Sequence, residues 1–292
     1  MTYPDYIAPS TLEEALEILG DSARNIQVLA GGTNLIPRMR AGEIEPDLLV
    51  DIRLLPLRLI GLENKCLHLG AGVTYSQIME DDMVVRYFPA LGMACREIGS
   101  PAIRGRSTLG GNLAASIAEA DIVPPLLVYD AQLSLVKGKT ERKTPLCDFY
   151  STSGESILEP GELIKEILLP IPTPATVAHF VKSGNRRGMT TAVVNAAVRI
   201  SLDQKRYVRE ARIALGAFAQ KPFRAEAAEN MLVGCRLDET AFDSLAGLAV
   251  ESNPARTDLL AGADYRKKLA RVLIARALRE VCSDLNRIEI HD

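Results

Sequence analysis

The sequence predicts an α+β chain of three units, and three observations carry that reading. Residues 1–57 alternate helix and strand signals, and residues 58–174 resume the alternation around a second glycine-rich turn. Residues 175–292 place three strand-like runs before two helical stretches. Between the second and third units stands Pro170-Ile-Pro-Thr-Pro174, with three prolines in five residues. Neither a helix nor a central strand tolerates that density, so the segment reads as the strongest linker in the chain.

The elements follow in order. Ser10-Thr-Leu-Glu13 reads as a capping box, with Leu12, Ala15, Leu16 and Leu19 at helical spacing and a stop at Gly20. Ile26-Gln-Val-Leu-Ala30 is a short apolar run that reads as a buried strand feeding the tight turn Gly31-Gly32. Pro37, which lacks an N–H, suits the first turn of the helix that follows. A strand over Leu48–Ile52 leads to Pro56 and closes the first unit. In the second, a strand over Cys66–Leu69 runs into Gly70-Ala-Gly-Val73, and Thr74-Tyr-Ser-Gln77 offers another capping box. A helix around Leu91–Ile98, a loop over Gly99–Ser107, and strand-like segments Ala131–Lys137 and Glu162–Leu169 complete it. The third unit reads as antiparallel strands Val177–Lys182, Ala192–Leu202 and Ala211–Ala217, then helices Pro222–Leu232 and Asp264–Ser283. On the last helix Leu269, Val272, Leu273, Ala277 and Val281 mark the apolar face.

Bulk properties exclude several functions. A chain of 292 residues is long for a single core. Its 34 basic and 37 acidic residues leave a formal charge of −3, so no broad basic field exists for nucleic acid. The start, Met1-Thr-Tyr-Pro-Asp-Tyr-Ile7, has neither a cationic nor an apolar signal region, and no run of 18 apolar residues would span a membrane. A cytoplasmic protein is expected. The five cysteines (Cys66, Cys95, Cys147, Cys235, Cys282) are scattered and lack any C-x2-C pair, which predicts reduced, mostly buried thiols. His68, His179 and His291 are equally dispersed, and His68 lies in an alternating strand. No metal site is expected on this chain.

Several motif fragments fail on inspection. Gly138-Lys-Thr140 ends like a phosphate-binding loop, but Leu133 stands where its first glycine is required. Gly70-Ala-Gly72 lacks a dinucleotide fingerprint's third glycine, Tyr75 standing there, and Ser134-Leu-Val-Lys137 lies in a strand rather than at a helix start.

Two similar turns remain, Ala30-Gly-Gly-Thr-Asn34 and Leu109-Gly-Gly-Asn112. A lone Gly-Gly turn is usually structural. Consecutive glycines can nevertheless adopt positive φ, admit a ligand close to the backbone and present successive N–H groups as an anion-binding nest. Two nests brought together suit a diphosphate, whose two charged groups need donors from both sides. The residues themselves do not choose between a flavin and a nicotinamide dinucleotide.

The string Ala30-Gly-Gly-Thr-Asn-Leu-Ile-Pro-Arg-Met39 resembles the first FAD motif of the flavin subunits of molybdenum hydroxylases. Ser100-Pro-Ala-Ile-Arg-Gly-Arg-Ser-Thr-Leu-Gly-Gly-Asn-Leu-Ala-Ala-Ser116, continuing to Asp121 and Pro124-Pro125, resembles the second. That family includes the medium subunit of carbon monoxide dehydrogenase and the FAD parts of xanthine and nicotinate dehydrogenases. The likeness extends through Leu158–Glu162, Lys182–Val198 and Tyr265–Ala277, nearly the whole chain.

The resemblance implies a two-subdomain FAD-binding half of the vanillyl-alcohol-oxidase type and a C-terminal domain of small antiparallel sheet plus helices. It implies that Leu29, Ala30, Gly31, Gly32, Thr33, Asn34 and Leu35 wrap FAD, and that Thr108, Gly110, Gly111 and Asn112 form the facing nest. Asp121 should bond the cofactor's polar rim, Lys182 should approach the flavin, and Ile164 should lend an apolar contact. Neither motif holds a histidine or cysteine, so the FAD should be noncovalent. Ile117 stands where the family carries a proline, which leaves the path of that loop open.

The implied role is electron transfer. Partner [2Fe-2S] clusters deliver electrons, this chain passes them to an external acceptor, and a large molybdopterin subunit holds the organic substrate, in a dimer of heterotrimers. A self-contained FAD oxidoreductase would need a substrate base that the sequence does not display. A flavin-free assembly protein would have no need of two glycine turns.

Overall fold

The computed structural model describes residues 3–186 and 188–287, so the expectation for His291 lies outside the described residues. The first unit is a three-stranded parallel sheet made of β1 (Asp5–Ile7), β2 (Ile26–Leu29) and β3 (Leu48–Asp51), in the order β1-β3-β2. Helices α1 (Leu12–Leu19) and α2 (Leu35–Arg40) make the crossovers that parallel strands require. The cap of α1 sits one residue later than the sequence suggested. Thr11 accepts from the Glu14 amide at 3.1 Å, while the Glu14 carboxylate reaches back to the Ser10 amide at 2.7 Å. Ala15, Leu16 and Leu19 pack on Leu48 and Val50. β2 is half-buried rather than buried, because it is an edge strand.

The second unit is a five-stranded antiparallel sheet, ordered β4-β5-β8-β6-β7. Its strands are β4 (Ile60–Glu63), β5 (Cys66–Gly70), β6 (Gln132–Lys137), β7 (Thr140–Pro145) and β8 (Leu163–Pro170). Six helices intervene between β5 and β6: α3 (Tyr75–Glu80), α4 (Asp82–Tyr87), α5 (Pro89–Glu97), α6 (Pro101–Arg104), α7 (Leu109–Ala114) and α8 (Val123–Val128). The Thr74/Gln77 capping box is formed in full. The edge strands β4 and β7 carried no sequence signal. β7 reads Thr-Glu-Arg-Lys-Thr-Pro, with only Thr144 buried, and its register with β6 holds it in place.

The third unit is an antiparallel sheet ordered β12-β11-β10-β9, made of β9 (Thr176–Gly184), β10 (Ala192–Leu202), β11 (Val208–Gly216) and β12 (Phe223–Arg224). Helices α9 (Glu226–Leu232), α10 (Phe242–Glu251) and α11 (Ala263–Arg287) cover one face. Helices α5 and α8 of the second unit cover the other, so all eleven residues of β10 are buried. A strand covered on both faces reads as a continuous apolar run rather than an alternation.

Two further sequence expectations are corrected here. Val272 is 64% exposed, because the buried stripe of α11 runs through Ala270, Leu273, Ile274, Ala277, Leu278 and Val281. Of the five free thiols only Cys95 and Cys282 are buried, while Cys147 and Cys235 are exposed. No described helix is long and apolar enough to cross a membrane.

Candidate functional site

The first motif forms the turn between β2 and α2. Leu29 ends the strand and Leu35 opens the helix, with Asn34 at its N-cap position. Gly32 sits at φ +72°, a region that L side chains rarely enter. Gly31 has no such constraint on φ but none of the space a side chain would need. A Cβ built there would lie 2.1 Å from the Arg106 carbonyl oxygen and 3.1 Å from the Ser107 Cα. Among the described residues, the backbone amides of Gly31, Gly32, Thr33 and Asn34 donate to no group of the chain.

The second motif differs from the nest that its sequence suggested. Neither Gly110 nor Gly111 has positive φ; both lie in the first turn of α7. Thr108 caps that turn and accepts from the Gly111 amide at 3.3 Å. Leu109 donates to the Val73 carbonyl at 2.9 Å, Gly110 to Ala71 at 2.8 Å and Asn112 to Thr108 at 3.0 Å. The chain therefore consumes the donors that a nest would offer, because the connection after β5 lies directly against this turn. Its glycines serve close approach. A Cβ on Gly110 would meet the Ala71 Cβ at 2.5 Å, and one on Gly111 would meet Thr108 Oγ1 at 2.7 Å. Gly70 and Gly72, rejected above as a dinucleotide fingerprint, are likewise packed under the Leu57 carbonyl.

The two motifs meet. A Cβ on Gly111 would stand 3.8 Å from that of Ala30, and Thr33 Oγ1 lies 2.9 Å from Ser107 Oγ. Ser107 is a site residue that the sequence reading missed, since a serine before a threonine carries no spacing signal. Beside this junction, Asn112 Oδ1 is buried without a hydrogen-bond partner. Unsatisfied amides on one side suit a phosphate, and an orphaned acceptor on the other suits a ligand hydroxyl or N–H. A dinucleotide carries both, so these residues fit one.

Asp121 and Lys182 are also brought together. Lys182 Nζ lies 2.5 Å from Asp121 Oδ2, with side chains 5% and 8% exposed. Asn195 Nδ2 donates to the other carboxylate oxygen at 2.8 Å, and Lys182 also reaches the Glu97 carbonyl at 3.3 Å. Burial pushes the Asp121 carboxyl above the ordinary carboxylate range, against the opposing pull of Lys182 and Asn195. Asn195 was not anticipated, although one amide in the apolar run Ala192–Leu202 was a signal. Ile164, 3% exposed, is part of the apolar core of the second unit.

Residues 2–172 match the family described as the FAD binding domain in molybdopterin dehydrogenase, and residues 179–281 match the CO dehydrogenase flavoprotein C-terminal domain. The chain is 30% identical to the 6-hydroxypseudooxynicotine dehydrogenase complex subunit alpha of Paenarthrobacter nicotinovorans, over 94% of this chain and 93% of that one. It is 30% identical to the carbon monoxide dehydrogenase medium chain of Afipia carboxidovorans, over 94% and 95%. Among solved structures, quinoline 2-oxidoreductase from Pseudomonas putida 86 superposes with a TM-score of 0.90 at 29% identity, over 97% of this chain and 98% of that one. The chain belongs to the family of FAD-binding subunits of molybdopterin dehydrogenases.

Proposed function

We propose that this member of the family is the flavin subunit of a molybdenum-containing hydroxylase, an FAD-dependent oxidoreductase subunit that relays electrons and leaves the organic substrate to a partner. The observation that carries the reading is the junction of the two motifs. Gly31 is seated under Arg106 and Ser107, free amides line one side and the orphaned Asn112 Oδ1 lies beside it.

FAD, when bound, supplies the coupling between single-electron delivery and a two-electron transfer. The chain's own residues bind and orient. On this reading the amides from Gly31 to Asn34 receive the diphosphate, and Thr33 lends its hydroxyl. Leu29, Ala30 and Leu35 shape the first wall. Gly111 and Asn112 shape the second, on a turn that Thr108 and Gly110 hold in place. The Asp121–Lys182 pair fixes charge beside the flavin, and Ile164 backs it from the core. Attachment is noncovalent.

Electrons come from the [2Fe-2S] clusters of an iron–sulfur subunit, and molybdopterin is held by a large subunit, in a cytoplasmic dimer of heterotrimers. Two-fold assembly is the commonest symmetry among oligomers. The test is to express the chain alone and with its genomic neighbours, then follow flavin reduction by purines, N-heterocycles, aldehydes and carbon monoxide. The isolated chain should show at most weak diaphorase activity with artificial acceptors, and the complex should reduce its flavin with one of these substrates. Rapid reduction of the isolated chain by a substrate would favour a self-contained oxidoreductase.

A further inference from the structure

The stretch from Ala115 to Asp121 links the second glycine motif to the buried ion pair, and no sheet ladder supports it. Ser116 turns at φ +51°, and Ala120 closes a turn onto the Ile117 carbonyl at 3.0 Å. Its position is fixed from the C-terminal unit. The Ala217 amide donates to the Ala118 carbonyl at 2.9 Å, and Arg256 donates to the Glu119 carboxylate. Ala217, at φ +59°, offers its own carbonyl to Arg256 Nε at 3.2 Å and to Arg266 Nη1 at 2.6 Å. Asp258 bridges the two guanidiniums, 3.2 Å from Arg256 Nε on one side and bonded to Arg266 on the other. Arg266 is wholly buried and donates also to the Val193 carbonyl, while Arg256 is 10% exposed. The far end of the stretch is held by the same sheet, through Asn195 and Lys182 on Asp121.

Arg266 spends both terminal nitrogens on these partners, and only its Nε is left without one. Charge-assisted bonds of a buried guanidinium hold the groups that accept them in place. We propose that Arg256 and Arg266 are positioning residues, through which the C-terminal unit sets the path of residues 115–121 and so the angle at which Asn112 and Asp121 face the flavin. The inference rests on the flavin reading and adds a coupling between the C-terminal unit and the cofactor.

The test uses the full chain loaded with FAD and compares Arg256→Gln, Arg256→Lys and Glu119→Gln with Arg224→Gln. Arg224 is a control of similar character, paired with Asp130 and Glu229 but not touching the stretch. FAD dissociation constant, flavin midpoint potential and thermal midpoint are read for each. Arg256→Gln and Glu119→Gln should weaken FAD binding by about tenfold and move the potential, with Arg256→Lys partly restoring both. Arg224→Gln should lower the thermal midpoint and leave binding and potential unchanged. The inference is overturned if Glu119→Gln binds FAD at the wild-type potential and affinity, or if Arg224→Gln alters them equally. A wild-type chain with no affinity for FAD would instead sink the flavin reading itself, and this inference with it.

Discussion

Thr33 and Ser107 stand 74 positions apart in the chain, and their hydroxyl oxygens meet at 2.9 Å. That contact, with Gly31 pressed against the Arg106 carbonyl, makes one surface of two motifs that lie in different units. The consequences for substitution follow from which atoms face the junction.

Gly31→Ala should separate the motifs. Its methyl group would need the place of a backbone oxygen, and backbone cannot step aside as a flexible side chain can. The variant should retain less than about a tenth of the wild-type FAD after gel filtration, a loss worth roughly 1.4 kcal/mol or more. Gly32→Ala adds strain at φ +72° and a contact of 3.2–3.3 Å with the flexible Leu29 and Ile36 side chains, not with backbone. It should therefore cost about 1–2 kcal/mol of stability and lose less flavin. Flavin content equal to wild type in Gly31→Ala would refute the junction.

Lys182→Met should be strongly destabilising. It leaves the Asp121 carboxylate buried without its cation, a loss of about 3–5 kcal/mol for broken buried pairs. The double variant Asp121→Asn/Lys182→Met should recover much of that stability, because the stranded charge is gone. Urea denaturation of the single and double variants decides this. A single variant as stable as wild type would show that the pair is not buried in solution.

Asp51 should make stability acid-dependent. Burial raises its carboxyl, but hydrogen bonds from Arg53 and Tyr6 outweigh that and hold it at about 2. A folded value below the unfolded one contributes stability above the unfolded value, and that contribution is lost as pH falls from about 4 towards 2. Arg53 is 38% exposed, so solvent screening leaves about 1–2 kcal/mol of this contribution at neutral pH. Asp51→Asn should therefore be less stable than wild type at pH 7, with the gap closing on acidification. A gap unchanged down to pH 2.5 would contradict the assignment.

Metal analysis of the isolated chain should find neither iron nor molybdenum in stoichiometric amount. Among the described residues, no grouping of three or more His, Cys, Asp or Glu is arranged to hold a metal ion. Stoichiometric iron would overturn the division of labour between subunits.

What was legible in the sequence was what local chemistry encodes. The Thr74/Gln77 box, the glycine turn at Gly31-Gly32 and the apolar strands of the C-terminal sheet each carry their instruction within a few residues. β7 was invisible because its side chains face solvent and only its ladder with β6 defines it. The second motif was misread as a positive-φ nest because a Gly-Gly pair looks the same in a turn and in a helix start. Only the packing of Ala71 and Val73 against it distinguishes the two. Ser107, Asn195 and Arg256 escaped because their partners lie far off in the chain.

The central claim is that this chain holds FAD by itself, at the junction of its two motifs. The most direct measurement is a titration of flavin-free full chain with FAD, followed by quenching of flavin fluorescence, with Gly31→Ala run beside it. Wild type should saturate near one FAD per chain, with flavin released intact on denaturation, and Gly31→Ala should bind at least about tenfold more weakly. A folded wild-type chain that stays colourless and takes up no FAD would contradict the account.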